Sequence, residues 1–352
     1  MIRLGSRFAP PHLPPSSSGF SWWYADICGE AGEGLVLIWA RNLPFVPSAA
    51  PGELSVALAV YKDGRERFYA LQTAPGDAAR AAPGSLEIGR SAFEVRQGPR
   101  GVSLRADLDI DVAGVGRVRG AVEVAGASAR LPDGQHGSLD WAPITLAARG
   151  RAELTWSDGA LAISGRAYFD GNASETPLDE LGIRDWRWGR IALPRRDLVY
   201  FVLSPEEGVE DRTTVLEVDE TGAGVPLAMT HAFDDGMPGW FGLRRASSLV
   251  LRGDAGELTV DFTHQVEDGP FYQRYVVEAV TSDGERGRGV AERVVPGRLR
   301  QSWHRPLVNM RVDRLGRKAS MWLPLFAGAS SGRVRRLVTS WLRGPREQEA
   351  YP

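Results

Sequence analysis

From about residue 20 to residue 300 the chain repeats one local pattern: short runs of alternating apolar and polar residues, cut off by glycine or proline. Ser55–Tyr61 (SVALAVY), Val102–Asp111 (VSLRADLDID), Val115–Ala125 (VGRVRGAVEVA) and Ala160–Tyr168 (ALAISGRAY) carry it in the first half. Asp197–Leu203, Thr213–Val218, Ser248–Arg252, Glu257–Gln265, Phe271–Thr281 and Arg288–Val295 carry it in the second. Side chains of a strand point alternately to its two faces, so a period of two buries one face and leaves the other in water. Asp158-Gly159, Asp235-Gly236 and Asp283-Gly284 supply turn signals between such runs. Helical periodicity is nearly absent before residue 330, which leaves sandwiches or barrels rather than a parallel α/β sheet. The predicted fold is all-β. A single barrel of 352 residues would be oversized, so two antiparallel barrel or sandwich domains are expected, over 1–178 and 179–318. Between them Asn172–Ile183 (NASETPLDELGI) breaks the strand rhythm.

Composition narrows the function. A formal charge of −2 lacks the basic excess of a nucleic-acid binder. The single cysteine, Cys28, forms neither an internal disulfide nor a thiolate metal site. The Pro/Ser-rich start (MIRLGSRFAPPHLPPSSSGF) lacks the apolar stretch of a secretory signal, and no window is apolar enough for a spanning helix. A cytoplasmic protein is expected, with peripheral membrane contact as an option. That option comes from the tail, 319–352. There Val334, Leu337, Val338, Trp341 and Leu342 share one helical face flanked by Arg333, Arg335, Arg336 and Arg343. Such a short C-terminal helix, with the apolar run before it (320–343 together), suits a lipid surface or packs on its own barrel. Oligomeric state is left open.

Common catalytic signatures are missing. His12, His136, His231, His264 and His304 show no metal-ligand spacing, and there is no nucleophile elbow, phosphate loop or dinucleotide turn. No metal or cofactor is expected. Polar and aromatic residues instead concentrate in GRAYFDGNASETPLDELGIRDWRWGR, from Gly165 to Arg190. Tyr168 and Asp170 lie two apart and face the same side, and Asn172 continues that face. A tyrosine, a carboxylate and a carboxamide projecting together inside a barrel are costly unless mutually hydrogen-bonded or in use. They are therefore either a buried network at a domain junction or a catalytic group. Trp186 and Trp188 form a second same-face pair followed by Arg190, and Trp22, Tyr24 and Asp26 form a third. For a tryptophan on a strand, core packing is the commonplace reading and a pocket wall the other.

The stretch Tyr168-x-Asp170-x-Asn172 followed by Trp186-x-Trp188-x-Arg190 resembles the signature of the carotenoid 1,2-hydratase (hydroxyneurosporene synthase) family. His136–Arg149 (HGSLDWAPITLAAR), Val266–Arg274 (VEDGPFYQR) and Gly297–Arg311 (GRLRQSWHRPLVNMR) resemble further family segments in matching order. The turn Ala173-Ser174-Glu175-Thr176-Pro177 departs from the family by lacking its glycine and second acid, and Leu307-Val308-Asn309 departs at an apolar position. The resemblance implies a tandem lipocalin-like fold and water addition to a terminal isoprenoid double bond, a reaction without metal or redox cofactor. It assigns Asp170 as the proton donor. Tyr168 and Asn172 would orient it or the water, and Trp141, Trp186, Trp188, Trp23, Tyr24, Asp26 and Arg190 would surround a small apolar, isoprenoid-like substrate. Two other readings share the pocket: a cofactor-free cyclase or pericyclase of a terpenoid or polyketide, and a non-catalytic lipocalin-like carrier.

Overall fold

The structure is a computed structural model. It describes residues 2–4, 19–29, 32–46, 52–82, 84–99, 101–131, 139–157, 159–207, 210–239, 241–254 and 256–318, together with Leu323. The amphipathic segment expected within 319–352 lies outside the described residues.

The chain is all-β and forms two curled antiparallel sheets. The first has 13 strands. Its middle runs Arg65–Ala74, Leu54–Lys62, Gly34–Arg41, Phe20–Gly29, Gly159–Ser174, Leu139–Trp156, Gly116–Gly126 and Gly101–Val112. The second has nine strands, centred on Arg196–Pro205, Ile183–Ala192, Arg286–Val294, Tyr272–Thr281 and Gly256–Asp268. Its outer strands approach each other, and the Thr213 hydroxyl meets Nδ1 of His231 at 2.7 Å across the gap. Among the described residues the α-helix is a short one, His304–Asn309. After it, Val312–Arg314 returns to the first sheet and pairs in parallel with Leu71–Thr73.

Each sheet wraps its own core. In the first, Phe93 stacks on Trp39 at 5.3 Å between ring centres and meets Phe169 edge-on at 6.4 Å. In the second, Tyr200, Leu249, Leu251, Val260 and Tyr275 fill the interior. A third cluster joins the sheets through Trp22, Tyr24 and Tyr168 from the first and Trp186, Trp188 and Phe201 from the second. Strand Phe20–Gly29 serves the first and third cores at once. Its first eight residues are buried on both faces, so its sequence loses the alternation seen elsewhere.

The turn signals behave unequally. Asp283-Gly284 makes a hairpin, with Gly284 at φ +87. Asp235-Gly236 does not turn. It lies inside strand Met229–Pro238 at a shift of register, where the Asp235 carboxylate accepts hydrogen bonds from Arg187 at 2.7 and 2.8 Å. The ion pair holds the extra residue as a bulge.

Candidate active site

Three of the long strands of the first sheet bring the polar trio together. Tyr168, Asp170 and Asn172 alternate along Gly159–Ser174, with Tyr24 paired opposite Asp170 on one side and Trp141 opposite Asn172 on the other. All sit in the core: Tyr168 and Trp141 are 0% exposed, Asp170 2% and Asn172 5%. Oδ2 of Asp170 accepts two hydrogen bonds, from the Trp141 indole N–H at 2.7 Å and the Tyr168 hydroxyl at 2.6 Å. Oδ1 accepts a longer one, 3.2 Å, from the Asn172 amide. Trp141 also donates to the Tyr168 oxygen at 3.2 Å.

Burial pushes the Asp170 carboxyl up to about 7, because the charged form loses its hydration. The Tyr168 and Trp141 hydrogen bonds act the other way, and the nearby Glu292 carboxylate adds to the rise. The balance leaves an acid that is about half protonated near pH 7, more so below it, and can be reloaded from water.

Asp170 and Asn172 open onto a cavity between the sheets, with about 540 Å³ of free space including its mouth. Its walls are mainly aromatic: Trp22 and Tyr24 from the first sheet face Trp186, Trp188, Phe201 and Tyr272 from the second. The Tyr24 ring meets Trp188 edge-on at 5.1 Å, and Trp22 lies 6.0 Å from Trp186. A second hollow of about 680 Å³ adjoins the first, sharing Ile38, Phe45 and Tyr272. It continues over Ala57, Ala59 and Leu71 to Leu307, Val308 and Arg311 at the short helix.

Within the first cavity, four buried polar atoms have no hydrogen-bond partner among the described residues. They are the Tyr24 and Tyr272 hydroxyls, the Asn172 carbonyl oxygen and the Trp188 indole N–H. Unsatisfied groups on a cavity wall are where water or a ligand belongs. Among the described residues no three His, Cys, Asp or Glu side chains are gathered as metal ligands.

The remaining predicted residues divide. Trp186, Trp188 and Tyr24 line the cavity, and Trp141 stands behind Asp170 as a hydrogen-bond donor. Trp23 does not reach the cavity. It points to the other face of its strand and packs on Phe169 at 5.8 Å, over Gly171, where a Cβ would come within 2.7 Å of the indole. Asp26 and Arg190 lie apart from the cavity in an ion network. Arg190 donates to Asp26 at 2.5 Å and to Asp197 at 3.1 Å, and Arg166 also pairs with Asp197. Asp26, Arg190 and Asp197 are 0% exposed, and their ion pairs join the two sheets.

Sequence reasoning missed Trp22, Phe45, Phe201, Tyr272 and Glu292 as wall residues. Trp22 shares its face with Tyr24, so the alternation contained it. Phe45 lies in the turn after strand Gly34–Arg41 and Tyr272 opens strand Tyr272–Thr281, while Phe201 and Glu292 depend on cross-strand register in the second sheet, where Phe201, Trp188, Glu292, Arg274 and Glu267 form one transverse row. No spacing along the chain encodes that row.

Paired lipocalin-like sheets with an acid-bearing aromatic cavity at their junction define the class of protein. Among solved structures, an AttH-type protein of Nitrosomonas europaea shares the fold with a TM-score of 0.63 and 13% identity, covering 83% of this chain and all of that one, 100%. The structure of CghA with Sch210972 gives a TM-score of 0.57 at 12% identity, over 83% of this chain and 94% of that one. The model of the carotenoid hydratase CrtC family matches residues 48–321, and the chain belongs to that family. An acyclic carotenoid 1,2-hydratase of Thiocapsa roseopersicina is 26% identical over 337 residues, 89% of this chain and 76% of that protein. A hydroxyneurosporene dehydrogenase of Chlorobaculum tepidum is 26% identical over 170 residues, covering 46% of this chain and 44% of that protein.

Proposed function

We propose that the protein adds water to the terminal double bond of an acyclic isoprenoid, with Asp170 as the proton donor. The observation that carries this reading is the Asp170 carboxyl, pushed up to about 7 by burial and opening onto an aromatic cavity. Oδ2 is occupied by two donors, so the acid proton sits on Oδ1. The Asp170 O–H bond breaks as a C–H bond forms at the less substituted alkene carbon, leaving a tertiary cation and a carboxylate. Trp141, Tyr168 and Asn172 then stabilise the new carboxylate through the hydrogen bonds they already make. Water adds to the cation and loses a proton, so the sum is alkene plus water giving tertiary alcohol. Aromatic faces attract a cation by ~0.5–2 kcal/mol each. Trp22, Trp186 and Trp188 therefore offset part of the barrier without forming a bond to the cation.

The adjoining hollow over Ala57 and Ala59 offers an apolar course for the rest of a long chain. The family and the Thiocapsa relative, an acyclic carotenoid 1,2-hydratase, support a carotenoid-like substrate. The test is Asp170→Asn, assayed with acyclic carotenes by product mass. Loss of at least ~100-fold in turnover is expected, the scale for removing a general acid, in a folded protein that still binds the substrate. Hydrated product at near wild-type rate from that variant refutes the reading. Product of unchanged mass from the wild-type protein would indicate a cyclase instead, and binding without any product a carrier.

A further inference from the structure

Water capture needs a second group, because the oxonium formed when water meets the cation must give up a proton. The cavity holds one other carboxylate, Glu292, on strand Arg286–Val294 of the opposite sheet. Cross-strand register sets it between Trp188 and Arg274. The Arg274 guanidinium is 3% exposed and donates from Nε to Glu292 at 2.9 Å. Its other carboxylate partner is Glu267, at 3.4 Å, which in turn pairs with Arg311 at 3.0 Å. Each cation in this row is matched, and the Glu292 side chain, 14% exposed and paired with Arg274, faces the same space as the acid. The unpartnered Tyr24 hydroxyl and Asn172 carbonyl oxygen lie on the wall of that space. They offer the donor and acceptor that would fix one water molecule between the two carboxyl groups.

We propose that Glu292 is the base of the hydration, taking the proton from the water that adds to the cation. The step rests on Asp170 being the acid. Asp170 gives its proton to carbon, the water oxygen bonds to the tertiary carbon, and one water O–H bond breaks as Glu292 becomes protonated. Returning that proton from Glu292 to Asp170 through a following water resets the site, so no co-reactant beyond water is consumed. Acid and base stand on strands of different sheets and line the same cavity.

The experiment separates the two half-steps. An acyclic carotene in detergent micelles is incubated in deuterated buffer, and both alcohol and recovered alkene are analysed by mass. In wild-type protein, alcohol accumulates. In Glu292→Gln, with the near-ultraviolet spectrum of the tryptophan cluster as the check of fold, hydration should fall at least ~100-fold. The recovered alkene should still gain deuterium, because Asp170 continues to protonate carbon and to take the proton back. Asp170→Asn should show neither alcohol nor exchange. Wild-type hydration in Glu292→Gln overturns the base and leaves the acid standing, and so does loss of exchange along with hydration in a folded variant. Turnover in Asp170→Asn overturns the acid itself. Glu292→Asp keeps the charge beside Arg274 and supplies the decision if the Gln variant does not fold. Its ratio of exchange to hydration should exceed the wild-type ratio, and an unchanged ratio overturns the proposal.

Discussion

Asp170 is a carboxyl whose environment was arranged against ionisation, and that choice has a measurable cost in stability. Its midpoint lies near 7 in the folded chain against an ordinary aspartate value of 3.8. In the unfolded chain it therefore loses its proton earlier as pH rises. Between about 4 and 7 the native state binds the extra proton, so this residue contributes a loss of stability with rising pH that levels off above the folded midpoint. Three units correspond to roughly 4 kcal/mol. Asp170→Asn, which retains an acceptor for Trp141 and Tyr168, should flatten that slope and melt higher than wild type at pH 8, as thermal unfolding at pH 5 and pH 8 will show. Hydration by the native protein should fall as pH rises through about 7, since only the protonated acid works. Tyr168→Phe removes a donor that favours the carboxylate, so the alkaline limb of its pH–rate profile should move upward. An unmoved limb would mean that the Tyr168 hydrogen bond does not tune the acid.

Alternation made many strands legible in the sequence, including Leu54–Lys62 and Arg196–Pro205, which are buried on both faces, while Phe20–Gly29 and Gly34–Arg41 were not. The segments Val102–Asp111 and Val115–Ala125 show clean alternation because their outer faces are solvated, and the strands Gly101–Val112 and Gly116–Gly126 follow them closely. Gly34–Arg41 (GLVLIWAR) lies between two cores and reads as an unbroken apolar run, which carries no period. The same physics governs the site. A spacing of two made Tyr168, Asp170 and Asn172 share a face, and it did so for Trp22 and Tyr24. Which of the adjacent Trp22 and Trp23 meets the cavity was decided by Gly171, whose missing side chain receives Trp23 from the neighbouring strand. Strand Leu54–Lys62 offers a test at this scale, since Val56, Leu58 and Val60 fill the first core while Ala57 and Ala59 floor the second hollow. Ala59→Leu adds three carbons and should lower kcat/KM for long isoprenoids at least ~10-fold, the lower end of the effect of a single methylene in a filled pocket. Short substrates with the same terminal group should be converted nearly as before.

At the level of the whole molecule, the sheets are joined by charge as well as by aromatic packing. Arg190 from the second sheet is fully buried against Asp26 of the first, and Arg166 of the first, partly buried, pairs with the buried Asp197 of the second. Arg190→Met should leave two buried carboxylates short of a partner and lower unfolding stability by about 3–5 kcal/mol in urea titrations. A change under about 1 kcal/mol would mean that the aromatic cluster alone carries the joint. The strand Val312–Arg314 adds a different constraint. It closes the rim beside Arg65–Ala74, and the Gln72 amide meets Asp313 across 241 positions of sequence. On the ribosome, that rim waits with bare amides until a strand 241 positions further along has emerged, a delay that slows maturation and invites sticking to other nascent chains. Cells producing this enzyme thus have reason to shield the exposed rim with a chaperone until Val312–Arg314 is made.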